Sequence, residues 1–234
     1  MRTLIIPDLH NHIDSADEWI ARYPADRIVF LGDYFDSFDD TPETARATAI
    51  WLRDSLACPE RIHLWGNHDL AYAFPRNPNL RCSGFTPEKE SVIREILTHR
   101  HWQQLRLVHL EPPNFLMVHA GLHRPLFEHP VEGLTIERIA SRGAEALGNA
   151  RADIPDPVLD LGGAVWLRWW NLEVLPEFNQ IVGHTPQNEI GIKRGHGAFN
   201  ACLDTMGRYL GLIEDGQFSY VDVRHGEITP LRIT

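Results

Sequence analysis

The sequence predicts an α/β fold in which two packed β-sheets are flanked by helices. Residues 1–99 alternate short apolar runs with helical segments, which is typical of parallel strands joined by helical crossovers. Residues 180–231 instead contain closely spaced short strands, which indicates a β-rich second half. With 234 residues the chain is long enough for one large core, and we expect a single domain over residues 1–234.

The elements of the first half follow from their start and stop residues. Strands are predicted at residues 3–6, 27–31 and 62–65, each a short apolar run. Asp14 is predicted to cap a helix that continues through Arg22. Thr-Pro pairs at 41–42 and 86–87 place proline at the first helical position, so these helices should extend to about Leu56 and about His99.

The second half contains one long helix and many strands. A hairpin is predicted for residues 107–111 and 115–119, because Pro112-Pro113-Asn114 lies between them. Residues 134–149 are predicted to be helical, and residues 151–163 are rich in Asp, Pro and Gly, which favours a loop. The remaining predicted strands are 180–182, 198–204, 209–213, 218–223 and 227–231.

The composition argues against several classes of protein. The formal net charge is −10 and no basic stripe occurs, so binding to nucleic acid is not expected. Cys58, Cys82 and Cys202 are far apart and form no CxxC pair, which favours a reducing compartment. The sequence shows neither a signal-peptide pattern nor an apolar run that could span a bilayer, so we expect a cytoplasmic protein without membrane contact.

Polar residues that can bind metal ions recur in five short motifs, four of which follow a predicted strand. The motifs are Asp8-Leu9-His10, Gly32-Asp33-Tyr34-Phe35-Asp36, Gly66-Asn67-His68-Asp69, His119-Ala120-Gly121 and Gly183-His184-Thr185-Pro186. Open α/β folds place their sites at the carboxyl ends of strands. Together the motifs supply the oxygen and imidazole ligands of a two-metal site, and most two-metal sites hydrolyse phosphate esters.

The first three motifs have both a functional and an ordinary explanation. Asp8 and His10 point the same way in extended backbone and can reach one ion, but taken alone the pair is better explained by an Asp that caps a helix beside a surface histidine. Asp33 follows a turn glycine, and its two oxygens can bridge two cations. Asn67 offers a neutral oxygen, which leaves His68 free to donate a proton, although a turn before a helix also explains this motif.

The two late histidines each leave an apolar strand. A single histidine in such a place is more often a hydrogen-bonded core residue than a ligand. We therefore keep His12, His109 and His123 as alternative ligands. The order of all five motifs, rather than any one of them, favours a metal site.

The ordered set resembles the calcineurin-like metallophosphoesterases over residues 8 to about 205. It is most similar to the branch that holds serine/threonine protein phosphatases and bacterial diadenosine tetraphosphatases. The family order is D-x-H, G-D-x-x-D, G-N-H-[DE], H-[GA]-G and G-H-T/Q. This resemblance implies a four-layer αββα fold, with two mixed β-sheets flanked by helices.

The resemblance also implies roles for the matching residues. His68 would be the general acid, and Asp36 would be the carboxylate that orients it. Two divalent ions would provide the attacking hydroxide; Mn²⁺ is the first candidate, and Fe or Zn²⁺ are the alternatives. The implied ligands are, for one ion, Asp8, His10 and bridging Asp33 and, for the other, Asp33, Asn67, His119 and His184.

Several positions depart from the family pattern. Pro7 and Asn11 flank the first motif, where the family usually has glycine. Ser37 stands where the family usually has an arginine that binds the substrate phosphate through two hydrogen bonds. Arg168 resembles a second phosphate-binding arginine, and Asn67 would also contact the phosphate. Alternatively, Arg168 is a surface cation between tryptophans.

Two other phosphoesterase patterns share part of the sequence. Many metallophosphoesterases end in G-H-x-H, but here Pro186 replaces the second histidine, so water would complete the shell of the first ion. The opening D-x-H-x-H pattern also fits the polymerase-and-histidinol-phosphatase family. That family needs a different later order of ligands, which Gly66-Asn67-His68 does not fit.

We expect a phosphatase that hydrolyses phosphate monoesters of small molecules, nucleotides or phosphoproteins. A phosphodiesterase or a dinucleoside polyphosphate hydrolase would use the same metals, and Trp166, Trp169 and Trp170 could then stack on a nucleobase. A non-catalytic scaffold is disfavoured because both His68 and Asp36 are present.

Overall fold

The computed structural model describes residues 1–127 and 134–231 and places their strands in two mixed sheets. The strands are β1 (Arg2–Ile6), β2 (Arg27–Phe30), β3 (Arg61–His63), β4 (Val108–Glu111), β5 (Phe115–Val118), β6 (Asn179–Val182), β7 (Gly191–Gly195), β8 (Ala198–Cys202), β9 (Tyr209–Glu214), β10 (Gln217–Asp222) and β11 (Glu227–Pro230). The strand order is β11-β10-β9-β1-β2-β3 in one sheet and β4-β5-β6-β8-β7 in the other. Strands β1 to β3 are parallel to one another, and so are β5, β6 and β8. The predicted α/β class with two sheets is confirmed.

The inner faces of the two sheets pack on a shared cluster of buried side chains. The ring of Phe199 on β8 lies 5.5 Å from that of Phe218 on β10 and 6.2 Å from that of Phe115 on β5, measured between centroids. The cluster also contains Ile5, Val29, Leu31, Ile62, Leu64, Met117, Ile181, Ala201, Leu203 and Ile213. Because close-packed interiors tolerate little movement, this cluster fixes the position of one sheet against the other.

The helices cover the opposite faces of the sheets. They are α1 (Ile13–Arg22), α2 (Pro42–Ser55), α3 (Asn67–Ala73), α4 (Pro87–Arg94), α5 (His99–Trp102) and α6 (Ile136–Arg151). Successive residues of a strand point to opposite faces of the sheet, so the neighbours of the inner-cluster residues face the helices. There, strand residues such as Leu4 and Leu116 belong to a second hydrophobic cluster with helical residues such as Leu52 and Ile139. Among the described residues, no helix combines the length and apolar character needed to cross a bilayer.

Helix starts were predicted well where a Thr-Pro pair marks them. The side chain of Thr41 accepts a hydrogen bond from the backbone N–H of Thr44, and that of Thr86 accepts one from Lys89. The prediction that Asp14 caps the first helix was wrong. That helix begins at Ile13, so Asp14 lies within its first turn.

Two further differences concern weak sequence patterns. The helix predicted to reach His99 ends at Arg94, because Thr98 begins the separate helix α5 with its own capping box. Strand β7 was not predicted, since Gly-Ile-Lys-Arg-Gly lacks an apolar run; it is an edge strand that pairs only with β8. The strand predicted for residues 198–204 ends at Cys202, which leaves Asp204 on the following loop.

Candidate metal centre

The predicted ligands converge because both sheets contribute strand ends to one place. Asp8 and Asp33 follow β1 and β2 of the larger sheet, whereas His119 and His184 follow β5 and β6 of the smaller sheet. The loops after β1 and β2 are joined directly, since the backbone N–H of His10 donates to the carbonyl oxygen of Asp33 at 2.9 Å.

The converging side chains form two overlapping groups. Asp8, His10 and Asp33 form one group, and Asp33, His119 and His184 form the other. Within each group one ligand atom of every residue lies within 4.8 Å of the others. Asp33 belongs to both groups, which is the position that a bridging carboxylate requires.

Hydrogen bonds to the backbone orient two of the histidine rings. The Nδ1 atom of His119 donates to a backbone carbonyl oxygen at 2.9 Å, which leaves Nε2 3.3 Å from Asp33 Oδ2 and 3.0 Å from Asn67 Oδ1. The Nδ1 atom of His10 donates to another carbonyl oxygen at 3.0 Å, and its Nε2 faces Asp33. Because a carbonyl oxygen only accepts, each ring presents Nε2 to the cluster, as metal-binding histidines commonly do.

Two buried ligand atoms have no hydrogen-bond partner among the described residues. They are Asp8 Oδ2 and His184 Nε2. The other oxygen of Asp8 accepts a hydrogen bond from the backbone N–H of His184 at 2.9 Å. Leaving a buried polar atom unpaired costs about 1–3 kcal/mol, and a divalent cation would satisfy both atoms. The oxygen and imidazole atoms present therefore fit a metal centre.

Two glycines let the carboxylates approach the backbone closely. A Cβ atom on Gly183 would lie 2.0 Å from Asp8 Oδ2, and one on Gly66 would lie 2.1 Å from Asp33 Oδ1. Both distances are far shorter than any real Cβ contact, so larger residues would displace the carboxylates.

The backbone at the site adopts an unusual conformation. At the site itself, four non-glycine residues have φ between 43° and 66°, namely His10, Asp33, Asp36 and His184. The left-handed region costs such residues about 1–2 kcal/mol each, so the turns that carry three of the candidate ligands are strained. The sharp turns direct the side chains back across the strand ends.

Burial and neighbouring charges shift the pKa values of the candidate ligands in different directions. Burial raises the pKa of Asp8. For Asp33 the attraction of His119 and His68 outweighs burial, so its pKa is strongly lowered. Burial and the charge of His119 lower the pKa of His184 to about 3. For His119, in contrast, burial lowers the pKa but the charge of Asp33 outweighs it and raises the pKa to about 9.

His68 lies next to the first group and is held by Asp36. Its ring contacts that of His10 edge-on, with centroids 5.2 Å apart, and its Nδ1 lies 2.9 Å from Asp36 Oδ2. Burial lowers the pKa of His68, but the charge of Asp33 and the hydrogen bond to Asp36 raise it to about 11 overall. The contact with Asp36 thus favours the protonated form of the ring.

Sequence reasoning missed the residues that surround Asp36. Lys89 donates to Asp36 Oδ1 at 2.7 Å, and the hydroxyl of Tyr72 donates to the same oxygen at 2.5 Å. Cys82 lies within 4.8 Å of both Asp36 and His68. One feature points to Lys89 in retrospect: it stands in the first turn of α4, where the helix dipole disfavours a cation.

Asp69 and Asp204 were not assigned roles either. Asp69 accepts hydrogen bonds from the backbone N–H groups of Asp33, Tyr34 and Gly66 at 2.9–3.0 Å, so it ties the second motif to the third. Asp204 is buried near the first group, and burial together with the charge of Asp8 raises its pKa to about 7.

The tryptophan-rich segment borders the second group. Trp166 contacts the ring of His184 edge-on, with centroids 5.5 Å apart. The charge of Arg168 is one of the causes that lower the pKa of His184. Trp169 packs against β7, whereas Trp170 is 66% exposed. The three tryptophans thus have three different environments.

The alternative histidines lie outside both groups. His109 is paired with Glu111 at 3.0 Å on β4. Neither His12 nor His123 shares a ligand group with the described acidic, histidine or cysteine side chains.

Comparisons with known proteins identify the family. The model for calcineurin-like phosphoesterases matches residues 1–212, and the chain belongs to this family. A search of curated protein sequences found no match.

The structure is similar to a cold-active protein tyrosine phosphatase of a psychrophilic Shewanella species, with 14% identity, a TM-score of 0.61, and coverage of 99% of this chain and 80% of that chain. It is also similar to a serine/threonine phosphatase of Saccharomyces cerevisiae related to human phosphatase PP5, with 14% identity, a TM-score of 0.52, and coverage of 100% of this chain and 80% of that chain.

Membership in this family makes the protein a phosphoric ester hydrolase that acts on phosphorylated substrates. The family depends on two metal ions, and the described residues contain candidate ligand groups for them. The structural similarities concern the fold, and they confirm the predicted arrangement of two mixed sheets with helices.

Proposed function

We propose that this protein hydrolyses phosphate monoesters, with His68 as the general acid. The observation that carries the proposal is the 2.9 Å contact between His68 Nδ1 and Asp36 Oδ2 beside two ligand groups that share Asp33. Ester hydrolysis needs a place for the phosphate and a proton for the leaving oxygen. This arrangement supplies both within one site.

Six residues are proposed to hold two divalent ions. When bound, these ions act as Lewis acids and lower the pKa of a bound water molecule. Both groups contain only oxygen and nitrogen donors, which suits Mn²⁺, our first candidate, as well as Fe or Zn²⁺. The proposed ligands are Asp8, His10 and Asp33 for one ion and Asp33, Asn67, His119 and His184 for the other.

The remaining roles belong to residues that contact the substrate. Arg168, whose charge reaches His184, is proposed to bind phosphate oxygens through its planar guanidinium group, and Asn67 to contact the same phosphate. His68 donates a proton to the leaving oxygen as the ester bond breaks. Asp36 holds the ring through Nδ1 and stabilises its charge. General acid catalysis of this kind contributes about 10²–10⁴-fold to the rate.

A second candidate function is hydrolysis of phosphodiesters or dinucleoside polyphosphates. It is favoured by Trp170, which is 66% exposed and lies two residues from Arg168. An exposed indole face beside a phosphate-binding arginine would suit a nucleobase.

One assay series separates these candidates. The protein is stripped with a chelator, reloaded with Mn²⁺, Zn²⁺ or Fe²⁺, and assayed on p-nitrophenyl phosphate, bis-p-nitrophenyl phosphate and diadenosine tetraphosphate. Fastest cleavage of the monoester supports the proposal. Fastest cleavage of either other substrate moves the assignment to the second candidate, and no cleavage with any metal contradicts both.

A further inference from the structure

Lys89 is a buried cation next to the proposed acid-base pair. Its side chain is only 3% exposed, yet it lies on a short helix whose neighbours Glu88 and Glu90 suggest a solvated surface. Lysine is almost never fully buried unless it is paired. Here Nζ donates to Asp36 Oδ1 at 2.7 Å and to both oxygens of Asp40 at 3.0–3.1 Å.

The residues around Asp40 include two of the positions where this chain departs from its family. The side-chain amide of Asn11 donates to Asp40 Oδ2 and to the hydroxyl of Ser37, both at 3.2 Å. Asn11 in turn accepts a hydrogen bond from Thr48 at 2.8 Å. Ser37, Asn11 and Asp40 thus form a hydrogen-bonded network that leads to Lys89 beside Asp36.

The two oxygens of Asp36 have separate partners. Lys89 and Tyr72 occupy Oδ1, whereas Oδ2 faces His68 Nδ1 at 2.9 Å. Two donors on one oxygen fix the rotation of the carboxylate about its Cβ–Cγ bond. If Oδ1 were released, the carboxylate could rotate and Oδ2 would lose its alignment with the imidazole ring.

We infer that Lys89 is a positioning residue for proton donation: it holds Asp36 in the rotation that aligns His68 with the leaving oxygen. This inference rests on the proposed function. The hydrogen bonds of Lys89 to Asp36 and Asp40 outweigh burial and raise its pKa, so it stays charged at neutral pH. The same contacts help to lower the pKa of Asp36, which keeps the carboxylate ionised.

A simpler explanation is that Lys89 only anchors α4 to the loop after β2. Stability alone does not distinguish the two roles, because both lose an ion pair when Lys89 is removed. The two roles differ in how the rate of hydrolysis should depend on the leaving group of the substrate. A substrate with a poor leaving group needs a proton from His68, whereas p-nitrophenolate leaves readily without one.

The experiment compares kcat of the Mn²⁺-loaded wild type and of Lys89→Met on phenyl phosphate and on p-nitrophenyl phosphate. We expect kcat on phenyl phosphate to fall about 10²-fold, the lower end of a general-acid contribution, and kcat on p-nitrophenyl phosphate to fall less than about tenfold. KM should change little for either substrate, since Lys89 does not touch the phosphate. Lys89→Arg, which keeps the charge, should recover part of the lost rate.

Two further variants keep the test decisive. The double variant Lys89→Met with Asp40→Asn removes one charge of each sign, so it leaves no unpaired charge at Asp40. The same two substrates are compared in this variant if Lys89→Met alone does not fold. Arg46→Met removes an exposed ion pair between α2 and Glu95 at the end of α4 without touching Asp36, and its ratio of rates should equal that of the wild type.

Each outcome has a separate meaning. Equal losses on both substrates, or full activity of a folded Lys89 variant on phenyl phosphate, would overturn the positioning role. Wild-type protein that hydrolyses neither substrate with any metal would instead contradict the proposed function. A changed ratio in Arg46→Met would assign the effect to helix packing and so also reject the inference.

Discussion

The carboxylate of Asp8 accepts a hydrogen bond from the backbone N–H of His184, although 176 residues separate the two in the sequence. This bond joins the first motif to the last and brings the ends of β1 and β6 together. It uses one oxygen of Asp8, and the other, Oδ2, has no hydrogen-bond partner in the part of the chain that the structure describes. The preceding residue, Gly183, is what allows this approach.

Replacing Gly183 with alanine should therefore disrupt the first ligand group. The new Cβ would lie 2.0 Å from Asp8 Oδ2, so the carboxylate must move. We expect weaker metal binding and at least a tenfold loss of activity, measured by isothermal titration with Mn²⁺ and by hydrolysis of p-nitrophenyl phosphate. Gly148→Ala is the control, because no atom lies within 4 Å of its added Cβ. Unchanged Mn²⁺ affinity in the Gly183 variant would contradict the proposed coordination by Asp8.

Asp33 and Asp8 should differ in the number of ions that depend on them. Asp33→Asn removes a ligand common to both groups and should lose both ions, whereas Asp8→Asn affects one group and should lose one. Metal content after gel filtration, measured by plasma mass spectrometry, checks this. The same stoichiometry in both variants would show that Asp33 does not bridge.

His68→Asn should keep both ions and lose most turnover. The substitution removes the proton donor but no proposed ligand, so kcat should fall about 10²–10⁴-fold while metal content stays the same. His225→Asn, on the exposed turn before β11, is the matched control and should behave as the wild type. Wild-type kcat in the His68 variant would remove this residue from the mechanism.

Arg168→Ala should weaken phosphate binding. A hydrogen bond between charged groups contributes about 1.5–3 kcal/mol, which corresponds to about a 10–100-fold loss in kcat/KM. Arg194→Ala, on the exposed side of β7, removes an equal charge away from the site and should have little effect. Competitive inhibition by inorganic phosphate gives an independent measure, because its inhibition constant should rise only in the Arg168 variant.

Asp156 should stabilise the loop after α6 in a pH-dependent manner. Burial raises the pKa of Asp156, but hydrogen bonds from Arg142, Val158 and Asn149 lower it more, so the net shift is downward. A lowered pKa in the folded state means that the stabilisation is present above the ordinary pKa of 3.8 and is lost as the pH falls below it.

The corresponding variant tests this directly. Asp156→Asn should lower the free energy of unfolding by about 1–3 kcal/mol at pH 7 and by much less below pH 3.8, as measured by urea denaturation. Asp160→Asn, an exposed carboxylate of the same loop, should change it little at either pH. A pH-independent difference between the wild type and Asp156→Asn would contradict the assigned pKa shift.

Much of the fold could be predicted because its strands and helix starts have local causes. Apolar runs mark β1, β2, β5 and β6, and Thr-Pro pairs mark α2 and α4. Besides the separate helix α5, α3 and β7 escaped prediction for physical reasons. Helix α3 has seven residues, too few to show a periodic pattern, and β7 depends on pairing with β8 rather than on its own side chains.

In the site, too, residues could be predicted only where the local sequence marks them. The six proposed ligands could be selected because they stand in five ordered short motifs, four of which follow an apolar run, and the structure brings them together. Lys89 could not be selected, because its role depends on α4 packing against the loop that carries Asp36 and Asp40. Asp69 was part of the third motif but received no role, because its hydrogen bonds to the backbone of Asp33 and Tyr34 depend on the tertiary structure.

The hydrophobic cluster between the sheets has a consequence for the geometry of this site. Since each sheet supplies part of the ligand set, a slide of one sheet by a fraction of an ångström changes the ligand spacing directly. The ring of Phe199 contacts those of Phe115 and Phe218, one on each sheet, and so helps to set that spacing. A substitution that changes the volume of this ring is therefore expected to alter metal binding as well as stability.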